Sequence, residues 1–203
     1  SPIVFVPALM LAAALSYHAA LWMEPVAGWL VAGSCASLCA LTRAPTARIA
    51  FYGGLGAALL IFVPQLWFIA EIFRSFSALL FLCLSVWAGI FCATLHRVRH
   101  RWGGMAALGT APFLWMGLEF FRSEVWWLRF AWLTNGFALP AAKMGWLFAS
   151  LGVYGCGALL MLAGAALVFL KRRPVAIAVW ALLPLLLLPG KHAVTSSASL
   201  RIT

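Results

Sequence analysis

The sequence predicts an all-α integral membrane protein: a bundle of about seven transmembrane helices with an aromatic segment lying in the interface. Three observations carry this reading. The 203 residues are 66% hydrophobic and only 9% charged, and their mean hydropathy is +1.04, whereas a soluble domain of this size carries about a quarter charged residues. Apolar runs recur that approach or reach the roughly 20 residues needed to cross a hydrocarbon core, and such runs must be helical because lipid offers no partner to backbone N–H and C=O groups. The bases sit in short clusters between these runs, the usual charging of membrane loops. A net charge of +10 therefore does not indicate nucleic acid, and no nucleic-acid partner is expected.

Taken in order, the apolar runs place spans near Ile3 to Leu21, Val26 to Leu41, Ile49 to Ile69, Ala78 to Leu95, Met105 to Phe121, Met144 to Leu170 and Val175 to Leu188. The first lacks a basic n-region and a small-residue cleavage site before Trp22, so it reads as a retained span rather than a signal peptide. The last is short and contains Pro184, and Pro189 and Gly190 end it. Residues 1–190 thus form the transmembrane domain. Residues 191–203 form an outer tail ending in Leu200-Arg201-Ile202-Thr203, which reads as the start of a strand. With Ser at position 1, the expectation is a fragment of a longer protein.

Charge gives the bundle a direction. With the N-terminus inside, Arg43, Arg48, Arg97, Arg99, Arg101, Lys171, Arg172 and Arg173 lie inside, and Arg74, Arg122, Arg129, Lys143, Lys191 and Arg201 outside. All four acids, Glu24, Glu71, Glu119 and Glu124, also fall outside. Polar chemistry is therefore expected on the outer face. There, Glu124 to Pro140, with Trp126, Trp127, Arg129, Phe130, Trp132, Thr134 and Asn135, is too polar to span and too aromatic for an ordinary loop, which places it in the outer headgroup layer. It serves either as an aromatic belt or as a substrate-contacting surface.

Few residues offer chemistry. Cys35, Cys39, Cys83, Cys92 and Cys156 all fall within spans without a base nearby in sequence, and read as small buried residues. His96 and His100 have a metal-compatible i,i+4 spacing but alternate with Arg97, Arg99 and Arg101. A basic inner loop is the better reading, with no metal or cofactor expected. His18 and His192 are isolated. Glu71 with Arg74, and Glu119 with Arg122, share a helix face at i,i+3 near outer span ends, as ion pairs or as functional groups. Small residues at four-residue spacing (Gly33 and Ser37, Gly53 and Ala57, Gly152 and Cys156) predict close helix packing.

The segment Pro112-Phe113-Leu114-Trp115-Met116-Gly117-Leu118-Glu119-Phe120-Phe121-Arg122 resembles the P-x-L-W-x-x-x-E-x-x-R segment of apolipoprotein N-acyltransferases. Phe130-Ala131-Trp132-Leu133-Thr134-Asn135-Gly136 resembles that family's G-F-P-W-L-x-x-G, with Arg129 and Ala131 in place of its Gly and Pro. Leu151-Gly152-Val153-Tyr154-Gly155 resembles its L-x-G-V-Y-G. Upstream, Phe51-Tyr52-Gly53-Gly54-Leu55-Gly56 and Trp67 are similar to a Gly-rich third span ending in an aromatic.

The resemblance implies a seven-span start followed by a periplasmic nitrilase-type domain and one more helix, in the bacterial inner membrane. It implies two-step acyl transfer, in which a cysteine thiolate takes an acyl chain from a phospholipid donor and yields it to the N-terminal amine of a diacylated prolipoprotein. The Cys, Glu and Lys of that chemistry would belong to the nitrilase-type domain, so no catalytic residue is assigned here. By matched position, Glu119, Arg122, Trp132 and Tyr154 are the substrate-binding candidates. Two other readings stand: a membrane tether for another nitrilase-type hydrolase or transferase, and a non-enzymatic transporter or assembly subunit.

Overall fold

The computed structural model describes residues 2–23, 28–139 and 145–170. Its elements are α1 (Pro2–Trp22), a 3-10 turn (Gly28–Leu30) leading into α2 (Val31–Leu41), α3 (Ala47–Gln65), α4 (Trp67–Phe73), α5 (Phe76–Phe120), a π turn (Phe121–Val125), a second 3-10 turn (Asn135–Ala138) and α6 (Gly145–Phe169). No strand occurs among the described residues, and α1, α3, α5 and α6 are each long and apolar enough to cross a membrane. The expected all-α membrane class is the class observed. The span expected over Val175 to Leu188 and the tail 191–203 lie outside the described residues.

The longest helix, α5, is a hairpin. At Gly103 the backbone adopts φ 86° and ψ 178°, a region essentially reserved for glycine. Phe91 and Trp115 would lie about 36 Å apart on a straight helix, yet their ring centroids are 5.0 Å apart. Trp87 likewise meets Phe121 at 5.5 Å. The two arms therefore fold back on each other, matching the spans expected over Ala78 to Leu95 and Met105 to Phe121. The basic run Arg97 to Arg101, expected as a loop, is instead the helical end of the first arm. Glycine alone turns the chain here, so helix can persist up to the hinge.

Proline and glycine explain two further departures. The span expected over Ile49 to Ile69 breaks at Leu66 (φ −111°, ψ 25°) into α3 and α4. Pro64 has no N–H for the carbonyl of Leu60 four residues back. His18 of α1 fills that gap, its Nε2 lying 3.0 Å from the Leu60 carbonyl oxygen, while Nδ1 lies 2.8 Å from Gln65 Nε2. Because a carbonyl only accepts, the proton belongs on Nε2 and the amide donates to Nδ1. His18 is thus a splice across a proline break rather than an isolated histidine. Gly152, expected to let helices approach, instead breaks α6 with φ 65° and ψ 179°.

Other small residues do allow close packing. An added Cβ at Gly164 of α6 would lie 2.7 Å from the Ala32 carbonyl oxygen of α2. One at Gly54 of α3 would lie 2.5 Å from the Ala88 carbonyl oxygen of α5. Lipid supplies little hydrophobic drive between helices, so such close backbone packing supplies much of the association. At the basic end, Thr46 caps α3 by accepting from the Ile49 N–H (3.2 Å). There the Thr42 carbonyl accepts from His96 Nδ1 and Arg99 Nη1, both at 3.0 Å. His96 is thus committed to the end of α2.

Candidate functional site: a pinned aromatic loop

At the end opposite Gly103, one α5 arm away or about 25 Å, the chain leaves the helix through the π turn. The Trp126 N–H donates to the Phe121 carbonyl (2.8 Å), and the chain then runs as a loop to Leu139. Its backbone is held from inside the bundle at Trp132, Leu133 and Asn135. Arg122 Nη2 donates to the Trp132 carbonyl (3.3 Å), and the Tyr17 hydroxyl of α1 donates to the Leu133 carbonyl (3.0 Å). The Thr134 hydroxyl turns back to the Ala131 carbonyl (2.8 Å). The Asn135 N–H donates to Glu119 Oε1 (2.9 Å), and the Asn135 amide donates to Cys35 Sγ of α2 (3.3 Å).

Burial explains why these bonds matter. Glu119 is 4% exposed, Arg122 5% and Asn135 4%, and a buried polar group left unpaired costs about 1–3 kcal/mol. Glu119 and Arg122 are not joined by an ion pair among the described residues. Each instead takes a loop backbone group, while the Arg122 guanidinium lies 5.8 Å from the Phe62 ring centroid. Glu71 and Arg74, the other i,i+3 couple, are both exposed. Behind the loop lies a cavity of about 40 Å³ that Tyr17, Ser34, Trp87, Arg122 and Asn135 help to line. That volume accommodates a few waters, and neither Trp87 Nε1 nor Arg122 Nε has a protein partner.

The loop's aromatic side chains divide between the two sides. Trp126 packs edge-on to Trp87 (5.4 Å). Trp127, Trp132 and Phe137 are 80%, 52% and 60% exposed. Trp132 rests between Phe68 of α4 (5.2 Å) and Phe130 (5.6 Å). A groove of about 420 Å³ between α1 and α3, which Leu15, Trp22 and Pro64 help to line, opens at the same end. Tyr154 lies on the α6 side, its hydroxyl donating to Glu124 Oε1 and its ring meeting Phe120 at 5.6 Å.

Of the four candidates read from sequence, Glu119, Arg122 and Trp132 thus converge on one loop, with the two charges inside and the indole outside. Tyr154 touches the loop's first turn instead. Sequence reasoning passed over Tyr17 and treated Cys35 as packing alone. Nothing in their local sequence marks them, because their partners lie 116 and 100 residues away. Cys39, Cys92 and Cys156 are buried, as expected of small packing residues, whereas Cys83 is only half-buried.

Two loop residues carry backbone strain. Arg129 has φ 42° and Leu133 φ 59°, a region that costs a non-glycine residue about 1–2 kcal/mol. Leu133 sits among the pinned residues. Arg129 is exposed and stands where the related motif has Gly. Arg129→Gly is therefore expected to raise the thermal stability of the purified protein, by up to about 1 kcal/mol after glycine's own entropic cost. A fall in melting temperature would show that this backbone is not strained.

An all-α bundle with buried polar side chains that hold an aromatic loop at one end defines a membrane protein that presents a fixed surface there. The model of the apolipoprotein N-acyltransferase N-terminal domain matches residues 8–166, and the chain belongs to that family. The matched stretch contains Tyr17, Cys35, Glu119, Arg122, Trp132, Asn135 and Tyr154. No curated protein matches the chain.

Proposed function

We propose that this chain is the membrane half of an apolipoprotein N-acyltransferase, which moves an acyl chain from a phospholipid to the N-terminal amine of a diacylglyceryl-cysteine lipoprotein. The observation that carries the reading is the loop backbone pinned from α1 and α5, with the Asn135 side chain held by α2 and Trp132 held outward beside Phe68. An acceptor and donor that both carry acyl chains need a rigid apolar platform at the membrane surface, since fixing reactants in place removes entropy from the barrier. In this reading Trp132 packs on acyl chain or glycerol. Glu119 and Arg122 hold the loop that carries it, and Tyr154 fixes its first turn. The nucleophile, base and oxyanion donor come from a nitrilase-type domain outside this chain.

The test is the intact protein in proteoliposomes with a diacylated lipopeptide, measuring gain of one acyl chain by mass alongside lysophospholipid release. Transfer by the parent protein is expected. Trp132→Ala is expected to slow it roughly ten-fold, the worth of a lost aromatic contact, with stability lowered only by about 1 kcal/mol through its contacts to Phe68 and Phe130. No transfer by the intact parent protein would overturn the reading in favour of another nitrilase-type enzyme or a transporter.

The proposed setting is a bacterial inner membrane, with the Gly103 end cytoplasmic and the Trp132 loop periplasmic. A single cysteine placed at Arg101 in a cysteine-free background is then expected to resist an impermeant thiol reagent in intact spheroplasts. One placed at Trp127 is expected to react.

A further inference from the structure

Far from the aromatic loop, the Gly103 end holds a feature that acyl transfer does not use. The start of α3 and the first arm of α5 enclose a groove of about 370 Å³ lined by Ala47, Arg48, Phe51, Tyr52, Ile90, Ala93, Thr94 and Arg97. Its chemistry is graded. Arg48 and Arg97, both exposed, supply positive charge, and Phe51, Ile90 and Ala93 supply an apolar floor. The Arg48 guanidinium lies 5.8 Å from the centroid of the Tyr52 ring, itself 55% exposed. A cation over an aromatic face is held in place by the ring quadrupole.

Neither guanidinium is engaged by a carboxylate among the described residues. The chain has four acids and no Asp. The described ones are Glu71 beyond α3, and Glu119 and Glu124 at the far end of the second α5 arm. The basic groups nearby are already committed in part: Arg43 Nη2 donates to the Val168 carbonyl (2.5 Å) and Arg99 Nη1 to the Thr42 carbonyl (3.0 Å). Arg48 and Arg97 are therefore uncompensated donors flanking an apolar trough, at the end of α3 where its N-terminal N–H groups add positive potential. The first turn of α3 contains no acid to offset that potential.

We propose that this groove is a binding site for an anionic phospholipid of the inner leaflet, with its phosphate between Arg48 and Arg97 and an acyl chain along Phe51 and Ile90. A guanidinium matches a phosphate with paired hydrogen bonds, and basic pockets between helices at this depth suit anionic headgroups. The occupant is lipid rather than free phosphate because the greater part of the lining is apolar, which a hydrated inorganic ion would leave unused. The site is independent of acyl transfer.

Native mass spectrometry of the intact detergent-purified protein, titrated with phosphatidylglycerol or phosphatidylcholine, tests the proposal. Phosphatidylglycerol is expected to be retained preferentially. Arg48→Gln with Arg97→Gln is expected to cut that retention roughly 30-fold, from the worth of two interfacial cations. Ile90→Trp fills the trough, leaves both arginines in place, and is expected to lose retention as well. Arg101→Gln, whose guanidinium stacks on Trp102 at 5.5 Å, is expected to keep it.

Equal retention of the two lipids would overturn the proposal. So would an equal loss on Arg101→Gln, which would make the attraction a general effect of net charge. Full displacement by inorganic phosphate at matched concentration would assign the groove to the free ion and overturn the lipid. Should the double variant fold poorly, the Ile90→Trp result decides alone.

Discussion

Glu119→Ala is expected to release the aromatic loop and destabilise the bundle by about 3 kcal/mol, the scale of removing one partner from a buried charged network. The Asn135 N–H loses its acceptor at 2.9 Å, and Arg122 is left as a charge 5% exposed without its acidic neighbour. Glu119→Gln keeps a carbonyl oxygen where Oε1 stands, so it is expected to recover at least half of the loss. Thermal melting in detergent and limited proteolysis between Trp126 and Leu139 read the two effects. An Ala variant that melts with the parent and keeps the loop protected would show that Glu119 does not fasten it. In acyl transfer the Ala variant is expected to lose both activity and stability, whereas Trp132→Ala loses mainly activity.

Gly136→Ala is expected to cost about 3 kcal/mol or more, at the upper end of overpacking effects. A Cβ at Gly136 would overlap the carbonyl of Val153 on α6. Both atoms are backbone or rigidly attached to it, so no rotamer change relieves the clash and the 3-10 turn must move off α6. Gly117→Ala is the matched control. Its Cβ would meet nothing within 4 Å, and within a helix alanine is favoured over glycine by up to about 1 kcal/mol. Melting temperatures of the two variants should therefore diverge in opposite directions. If Gly136→Ala melts with the parent, the loop does not rest on α6 as described.

Much of the architecture was legible because lipid imposes simple rules. Apolar length alone located the runs that became α1, α2, both arms of α5 and α6, since an unpaired backbone cannot cross hydrocarbon. Punctuation within runs was harder to weigh. Pro64 divides α3 from α4, and His18 repairs the freed carbonyl from another helix. The basic run Arg97 to Arg101 marked a break near Gly103 in sequence, whereas Gly152 looks like an ordinary small residue there and only its backbone angles mark it as a break.

The candidate site was half legible for the same reason. Glu119 and Arg122 stood out because charge next to a span is costly, and Trp132 and Asn135 because they fall in a polar aromatic segment that cannot span. What sequence by itself determined was therefore the solvent this protein lives in, its all-α class, and which few polar residues needed an explanation. The tertiary structure alone decided the explanation. Glu119 and Arg122 satisfy the backbone of a loop rather than each other, and Tyr17 and Cys35 join them from α1 and α2. Apolar burial follows from local composition, but a buried hydrogen bond depends on which distant helix the fold brings within about 3 Å.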